Sequence, residues 1–451
     1  MADRICQTAL ILGLGESGMA AARLLLSEGT RVTAVDQAKT PTLERTGAEL
    51  CRAGAQVVLG CRDLPKGMYD VCVVSPSVPD DSLWVRELKG RGVRVISELE
   101  LGWSRCPCPV LAVTGSSGKS TLVKLCGEAL AAAGRRVVMG GNYGHPISRL
   151  VCERVDVDWV VLEVSSFQLE NIENFSPKVG VLLNIHPNHL DRHHTFEEYR
   201  RLKVRLFAKM DRRQTAVVPD IDAAAIKVLA GSRSRPCEAS WVRFGLSADA
   251  EYRYINGQIE FTNGAGKNFV SFRGTWFDNE VMGLTAAAAV AAMKACGVDP
   301  AAVVKAAENF EPLPHRMQEV ARKDGVRFVD DSKATTLSAL QAGVIMAGDR
   351  VRLIAGGLLK EHDAGFLAET LSKKVRKVYL IGEASNKLAE TWRGAVECVC
   401  CGTLEQAVKA AWEEAESGDV VLLSPGCASF DQFKNYEERG ERFVAIVREL
   451  L

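Results

Sequence analysis

The chain has 451 residues, 47% of them hydrophobic and 25% charged, and Lys plus Arg equals Asp plus Glu at 56 each. At roughly 150 residues per domain this length predicts about three domains, and the balance excludes collagen-like, disordered and coiled-coil classes. A formal charge of zero argues against broad electrostatic binding to nucleic acid or to an anionic membrane. No apolar run approaches the ~20 residues of a membrane span. The short apolar stretch Thr8–Gly13 enters a glycine turn, which is a buried strand rather than a signal peptide, so a cytoplasmic protein is expected. Fourteen cysteines are scattered, with clusters only at Cys106/Cys108 and Cys398/Cys400/Cys401. They read as thiols of a reducing compartment rather than a disulfide frame or a metal site.

In chain order, β-branched apolar runs predict strands at Ala9–Leu12, Arg31–Val35, Gln56–Leu59, Val71–Ser75 and Val93–Ile96. Met19–Ser27 has helical composition and ends at Gly29, a C-terminal stop signal. Val110–Val113 opens a second series: helix Ser120–Ala133, then strands Arg136–Met139, Trp159–Val164 and Lys178–Asn184. Glu251–Arg273 alternates polar and β-branched residues and predicts a small antiparallel excursion; Ala286–Cys296 predicts an Ala-rich helix. Pro312-Leu-Pro314 interrupts either regular state. Strands at Arg327–Val329, Val351–Ala355, Lys377–Ile381 and Val420–Leu423 follow. Strands alternating with helices predict an α/β chain with parallel sheets, in domains 1–97, 98–312 and 313–451.

Two glycine-rich turns carry chemistry. Thr114-Gly-Ser-Ser-Gly-Lys-Ser-Thr121 lies between an apolar strand and a helix. Its N–H groups and the helix N-terminus suit phosphate oxygens. Lys119 reaches the outer phosphates and Ser120 suits Mg²⁺. Val113 stands where the usual pattern has its first Gly, so the loop is a shorter relative. Gly13-x-Gly15-x-x-Gly18, with Asp36 ending the next strand, fits a dinucleotide fingerprint but does not separate NAD from another nucleotide. Glu163 ends an apolar strand, and His189 and Asp191 follow another. Parallel strands put these ends on the edge that carries the phosphate loop, where oxygen ligands suit Mg²⁺ and substrate phosphates.

The loop Thr114–Thr121, the run Leu162–Glu170 and Asn184…Asn188-His-Leu-Asp191 resemble the shared blocks of the Mur ligases of bacterial cell-wall synthesis. Leu313–Val320, Asp331-Ser-Lys-Ala-Thr335 and Leu423–Gly440 resemble the branch of that family that adds D-glutamate. The resemblance covers the chain from Gly13 onward. It implies a Rossmann-like first domain, a central P-loop-type ATPase domain with a mainly parallel sheet, and a Rossmann-like last domain that brings the amino acid. It implies ATP and Mg²⁺, with UDP-N-acetylmuramoyl-L-alanine and D-glutamate as substrates; no nucleic-acid partner is expected, and a monomer is expected.

Residue by residue, the resemblance places Gly15, Glu16 and Ser17 by the UDP diphosphate and Asp36 and Ser75 near the uridine, which displaces NAD. Asn142 matches a substrate-contacting Asn. Gly115, Ser116, Ser117, Gly118, Lys119, Ser120 and Thr121 would bind ATP, with Arg316 on its phosphates and Asp331 on its ribose. Ser120, Glu163 and Lys203 would form the metal site, Lys203 matching the lysine that the family carbamylates, and His189 would orient the acyl phosphate. Lys333, Thr335, Ser429 and Tyr436 match positions around the glutamate, and Lys360 would hold its side-chain carboxylate. Four positions depart from the family pattern. Gly274-Thr-Trp-Phe-Asp-Asn-Glu280 replaces the block whose asparagines meet adenine, leaving Asn279 as the substitute. Ser116-Ser117, Ser77 and Gly357-Leu-Leu-Lys360 are the others. The expected activity is an ATP-dependent amide ligase working through an acyl phosphate. The alternatives are L-glutamate addition or another acceptor, including a folylpolyglutamate synthase, and a nucleotide-binding regulator without catalysis.

Overall fold

The computed structural model describes residues 6–231, 236–263, 266–360 and 363–450; the side chains of Asp191 and Asn263 lie outside the described part. The chain forms two compact units. One comprises Met1–Ile185, Thr195–Arg273 and Gly283–Glu308; the other comprises His186–His194, Gly274–Met282 and Asn309–Leu451. The first unit holds two sheets and the second holds one. Among the described residues no helix is long and apolar enough to cross a membrane.

The first sheet contains β1 (Thr8–Leu12), β2 (Arg31–Asp36), β3 (Gln56–Leu59), β4 (Val71–Val74) and β5 (Arg94–Ser97) in the order β3-β2-β1-β4-β5. Every pairing is parallel. Parallel strands buried on both faces need continuous apolar runs, and Leu10, Ile11 and Leu12 are fully buried. Ala9 and Ile11 pack with Leu24 and Leu25 of helix Glu16–Ser27, while Leu10 and Leu12 pack with Trp84, Val85 and Leu88 on the other face. This alternation is the period-2 geometry of a strand.

The second sheet runs β6 (Val110–Thr114), β7 (Val137–Gly141), β8 (Trp159–Glu163), β9 (Val179–Leu182), β10 (Thr215–Pro219), β11 (Ser240–Gly245), β12 (Tyr252–Ile255), β13 (Gln258–Asn263) and β14 (Gly266–Ser271). The spatial order is β14-β13-β12-β11-β10-β9-β6-β8-β7. Pairing is parallel from β7 to β12, and β12, β13 and β14 pair antiparallel, as the alternating pattern of 251–273 predicts. Asn256 and Gly257, both at positive φ, make the tight turn between β12 and β13. In the second unit β15 (Gln318–Lys323), β16 (Val326–Asp330), β17 (Val351–Gly356), β18 (Val375–Ile381), β19 (Cys398–Gly402) and β20 (Val420–Leu423) take the order β15-β16-β20-β17-β18-β19. Only the β15–β16 pair is antiparallel among them.

The chain is therefore α/β with mostly parallel sheets. Four strands escaped the sequence reading: β10, β11, β15 and β19. β15 is polar, lies at the sheet edge and carries a register shift between Glu319 and Ala321, so neither apolar content nor strict alternation marks it. The Ala-rich helix starts earlier than expected, spanning Glu280–Ala295, because Asn279 Oδ1 accepts the Met282 N–H at 2.9 Å and caps it.

Candidate active site

β6 lies between β8 and β9, with β7 beyond β8. The strand order reverses at β6, so the crevice past its carboxyl end is the site a doubly wound sheet offers a ligand. Thr114–Thr121 fills that position, and helix Lys119–Ala132 starts there with Gly118 as its N-cap at φ 76° and no side-chain cap. Its open N–H end suits an anion. The positive φ favours glycine at this position, and a Cβ there would also come within 2.8 Å of the Leu183 side chain.

Asn184, two residues past β9, accepts the N–H groups of Ser116 and Ser117 on Oδ1, each at 3.0 Å, and donates Nδ2 to Ser117 O at 3.2 Å. Those amides shape the loop. Lys119 Nζ donates to Ser116 O at 3.2 Å. Tyr199, nearly fully buried, has its hydroxyl 3.0 Å from Ser116 Oγ. Sequence reasoning passed over Asn184 and Tyr199 as site residues; Asn184 stood only within a block shared with the family, and Tyr199 lies one helical turn before Lys203.

Glu163 ends β8 and is buried. Its Oε2 accepts Ser120 Oγ at 2.6 Å and its Oε1 accepts Asn142 Nδ2 at 2.7 Å. Three residues singled out from the sequence thus meet at one carboxylate. Lys203 sits on helix Phe196–Val204, whose N-cap Thr195 accepts the Glu198 N–H. It is 2% exposed, and its Nζ donates to Gly115 O at 2.7 Å and to Thr114 Oγ1 at 3.5 Å. Burial holds the Lys203 amine well below its ordinary range; Lys119 adds to the effect and Glu163 opposes it. The neutral amine is favoured, the nucleophilic form.

In the first sheet, Gly13–Gly18 follows β1, at another order reversal. Gly13 takes φ 84°, and a Cβ at Gly18 would stand 1.9 Å from Gly13 O. Asp36 Oδ2 accepts the Leu14 N–H at 2.8 Å and Oδ1 accepts the Ala38 N–H at 2.9 Å. Ser75 Oγ, buried, donates to Gly13 O at 2.7 Å. Both side chains hold the loop. Gly15 and Glu16 are exposed and Ser17 half-buried at the uncapped start of helix Glu16–Ser27.

The second unit places Asp331, Lys333 and Thr335 past the carboxyl end of β16 and Ser429 and Tyr436 past that of β20. Asp331 follows β16, and its Oδ2 accepts Ser424 Oγ at 2.7 Å. Burial pushes its carboxyl up to about 7, against the pull of Ser424 and of Arg316. Lys333 Nζ lies 3.5 Å from the centre of the Tyr436 ring. Ser332 Oγ donates to Tyr436 O at 2.8 Å. Arg439, fully buried, donates to Ser332 Oγ, Ser332 O and Cys427 O at 3.0, 2.8 and 3.1 Å. It ties the segment of Lys333 and Thr335 to the loop of Ser429, a role the sequence did not reveal. Ser429 is buried and its carbonyl accepts the Gln432 and Phe433 N–H groups. Lys360 is exposed, 5.9 Å from the Phe430 ring centre. His189 takes φ 54° as the N-cap of helix Leu190–His193 in this same unit.

The segment that replaces the adenine-reading asparagines is committed to packing and to a helix cap. Trp276 stacks on Phe310 with ring centres 5.5 Å apart at 24°, and Phe277 is fully buried edge-on to both. Asn279 Nδ2 donates to Trp276 O at 3.1 Å. Trp276 and Asn279 border a cavity of about 570 Å³ shared with Met317, Gln318 and Arg327.

Comparison with known proteins places this arrangement. Residues 113–291 match the Mur ligase middle domain and residues 315–427 match the Mur ligase glutamate ligase domain. A UDP-N-acetylmuramoylalanine–D-glutamate ligase of Geobacter metallireducens is 38% identical over 98% of this chain and 97% of its own. Another, of Acidobacterium capsulatum, is 37% identical over 97% and 95%. Among solved structures, the MurF ligase of Thermotoga maritima in complex with ADP superposes with a TM-score of 0.62 at 19% identity, covering all of both chains. The chain belongs to the Mur ligase family.

Proposed function

We propose that the chain joins D-glutamate to UDP-N-acetylmuramoyl-L-alanine at the expense of ATP, a step in peptidoglycan precursor synthesis. The observation that carries this is identity of 37–38% along nearly the whole length to ligases named for that reaction. The substrate carboxylate attacks the γ-phosphorus of ATP, the bond to the bridging oxygen breaks, and ADP leaves. The amine of glutamate then attacks the acyl carbon, and phosphate departs as the amide forms. The amine gives up its proton in this step.

Phosphoryl transfer asks chiefly for positioning and charge neutralisation. The helix N-terminus after Gly118 and Lys119 hold the phosphates, with Thr121 in the first turn. Arg316 adds charge to the phosphates and Asp331 accepts from the ribose. Ser120 and Glu163 offer hard oxygen donors 2.6 Å apart, a set that fits Mg²⁺, and a carbamate on Lys203 would add another. Bound there, Mg²⁺ would neutralise charge building on the phosphate oxygens. Gly15, Glu16 and Ser17 bind the diphosphate of the UDP substrate, and Asp36 and Ser75 keep that turn in shape. Asn142 contacts the substrate, and His189 orients the acyl phosphate. Lys333, Thr335, Ser429 and Tyr436 surround the glutamate, and Lys360 pairs with its side-chain carboxylate. In this reading the domains 1–97, 98–312 and 313–451 hold UDP substrate, ATP and amino acid in turn, and the enzyme acts as a cytoplasmic monomer. Phosphate release that requires all three substrates together, with the amide product detected by mass, tests the reading. ATP turnover independent of the UDP substrate would refute it.

A further inference from the structure

Cys106 and Cys108 lie between helix Glu98–Trp103 and β6, outside the machinery described above. Their Sγ atoms are 3.6 Å apart, and the Cys106 thiol also meets Cys108 O at 3.5 Å. Pro107 between them has a fixed φ, which restrains the pair. Both thiols are half-buried. Burial, then the neighbouring Cys106, push the Cys108 thiol up to about 12, so at neutral pH it carries its proton. The pair opens on a cavity of about 520 Å³ lined by Ile147, Leu150, Val151 and Val160 together with the charged Arg154 and Asp156.

We propose that Cys106 and Cys108 form a two-sulfur binding site for a trivalent arsenical carrying one organic group, with the aliphatic part of the cavity receiving that group. Sulfur ligands select soft centres. A monosubstituted arsenic(III) oxide forms two As–S bonds with the two thiols. Two S–H bonds and the arsenic–oxygen bond break, and the oxygen leaves with both protons as water. Arsenic stays trivalent, and nothing is oxidised or reduced. The second As–S bond closes within one molecule, at high effective concentration, so the pair outcompetes a monothiol in solution. The cavity takes the organic group out of water, which favours an aryl substituent over none. The other cysteine cluster, at Cys398, Cys400 and Cys401, lies on the edge strand β19, with Cys400 exposed.

The test uses the folded full-length chain with equimolar phenylarsine oxide and excess 2-mercaptoethanol. Tryptic cleavage after Arg105 and Lys119 gives one peptide that contains Cys106 and Cys108 and no third cysteine. One adduct on that peptide is expected, released by 2,3-dimercaptopropanol. Cys106→Ser and Cys108→Ser should each lower retention at least about tenfold, and arsenite, which lacks the organic group, should be held at least about tenfold more weakly. An adduct on the peptide of Cys398–Cys401, retention unchanged in both serine variants, or arsenite held as tightly as phenylarsine oxide would overturn the proposal. Mapping the parent protein decides the location even where a variant fails to fold.

Discussion

Lys203 donates to the carbonyl of Gly115 at 2.7 Å, so a buried amine supports the phosphate loop from beneath. The same burial favours its neutral form, the form that would take up CO₂ to give a carbamate and release a proton. Lys203→Ala should lose nearly all ligation. Lys203→Arg, which keeps a cation and forms no such carbamate, should be equally inactive. Activity should fall when bicarbonate and CO₂ are stripped and return when they are restored. Full activity in Lys203→Arg would reduce Lys203 to a loop support.

Lys119→Ala should lower ligation by about 10²–10³-fold, the scale for one lost donor to developing charge. Binding of the UDP substrate should be nearly unchanged, because the Gly13–Gly18 turn follows β1 of the first sheet while Lys119 follows β6 of the second. Calorimetry of the variant with the UDP substrate checks this, and a parallel loss of affinity would show the two sites to be one.

Base selection should be weak. Trp276 and Phe277 pack on Phe310, and the Asn279 amide is spent on Trp276 O and Met282 N. An amide pair that reads a base edge is absent here, a term on the order of kilocalories. Comparing kcat/KM for ATP and GTP measures it. Strong ATP preference that survives Asn279→Ala would assign base reading to other groups of the cavity.

Glu98 links pH to stability. It is 1% exposed, its Oε1 accepts the Ser148 N–H at 2.7 Å, and its Oε2 is buried with no hydrogen-bond partner. Burial pushes its carboxyl up to about 7, against the pull of Ser148. The folded chain therefore holds this proton more tightly than the unfolded chain, and stability falls as pH rises from about 4.5 to 7, then levels. The loss is at most about 3 kcal/mol. Asp331, also pushed up to about 7 by burial, titrates in the same window. Glu98→Gln should flatten the slope of unfolding free energy against pH without removing it. An unchanged slope would mean that Glu98 ionises normally.

The strand–helix rhythm was legible because parallel strands are continuous apolar runs: Gln56–Leu59 and Val420–Leu423 fall where the composition put them. β15 was not, since an antiparallel edge strand such as Gln318–Lys323 needs neither an apolar run nor clean alternation. At the site, the Gly-Lys-Ser junction and Glu163 were legible from motif and strand end, whereas Lys203 stood out only through the family resemblance, since its composition alone marks a solvated helix lysine. The jobs of Asp36 and Ser75 were not, because only coordinates show that their side chains bind Leu14, Ala38 and Gly13 backbone. Arg439 was hidden for a related reason. Its partners are the hydroxyl and carbonyl of Ser332, 107 residues away in sequence, and the Cys427 carbonyl, 12 residues away, and no local pattern records them.

The most direct test of the account supplies the purified chain with ATP, Mg²⁺ and UDP-N-acetylmuramoyl-L-alanine, then adds D-glutamate or L-glutamate in separate reactions and follows phosphate release alongside product mass. The account predicts stoichiometric phosphate and a glutamyl amide with D-glutamate, and at most background with L-glutamate. Equal or greater turnover with L-glutamate, or none with either isomer, would contradict it.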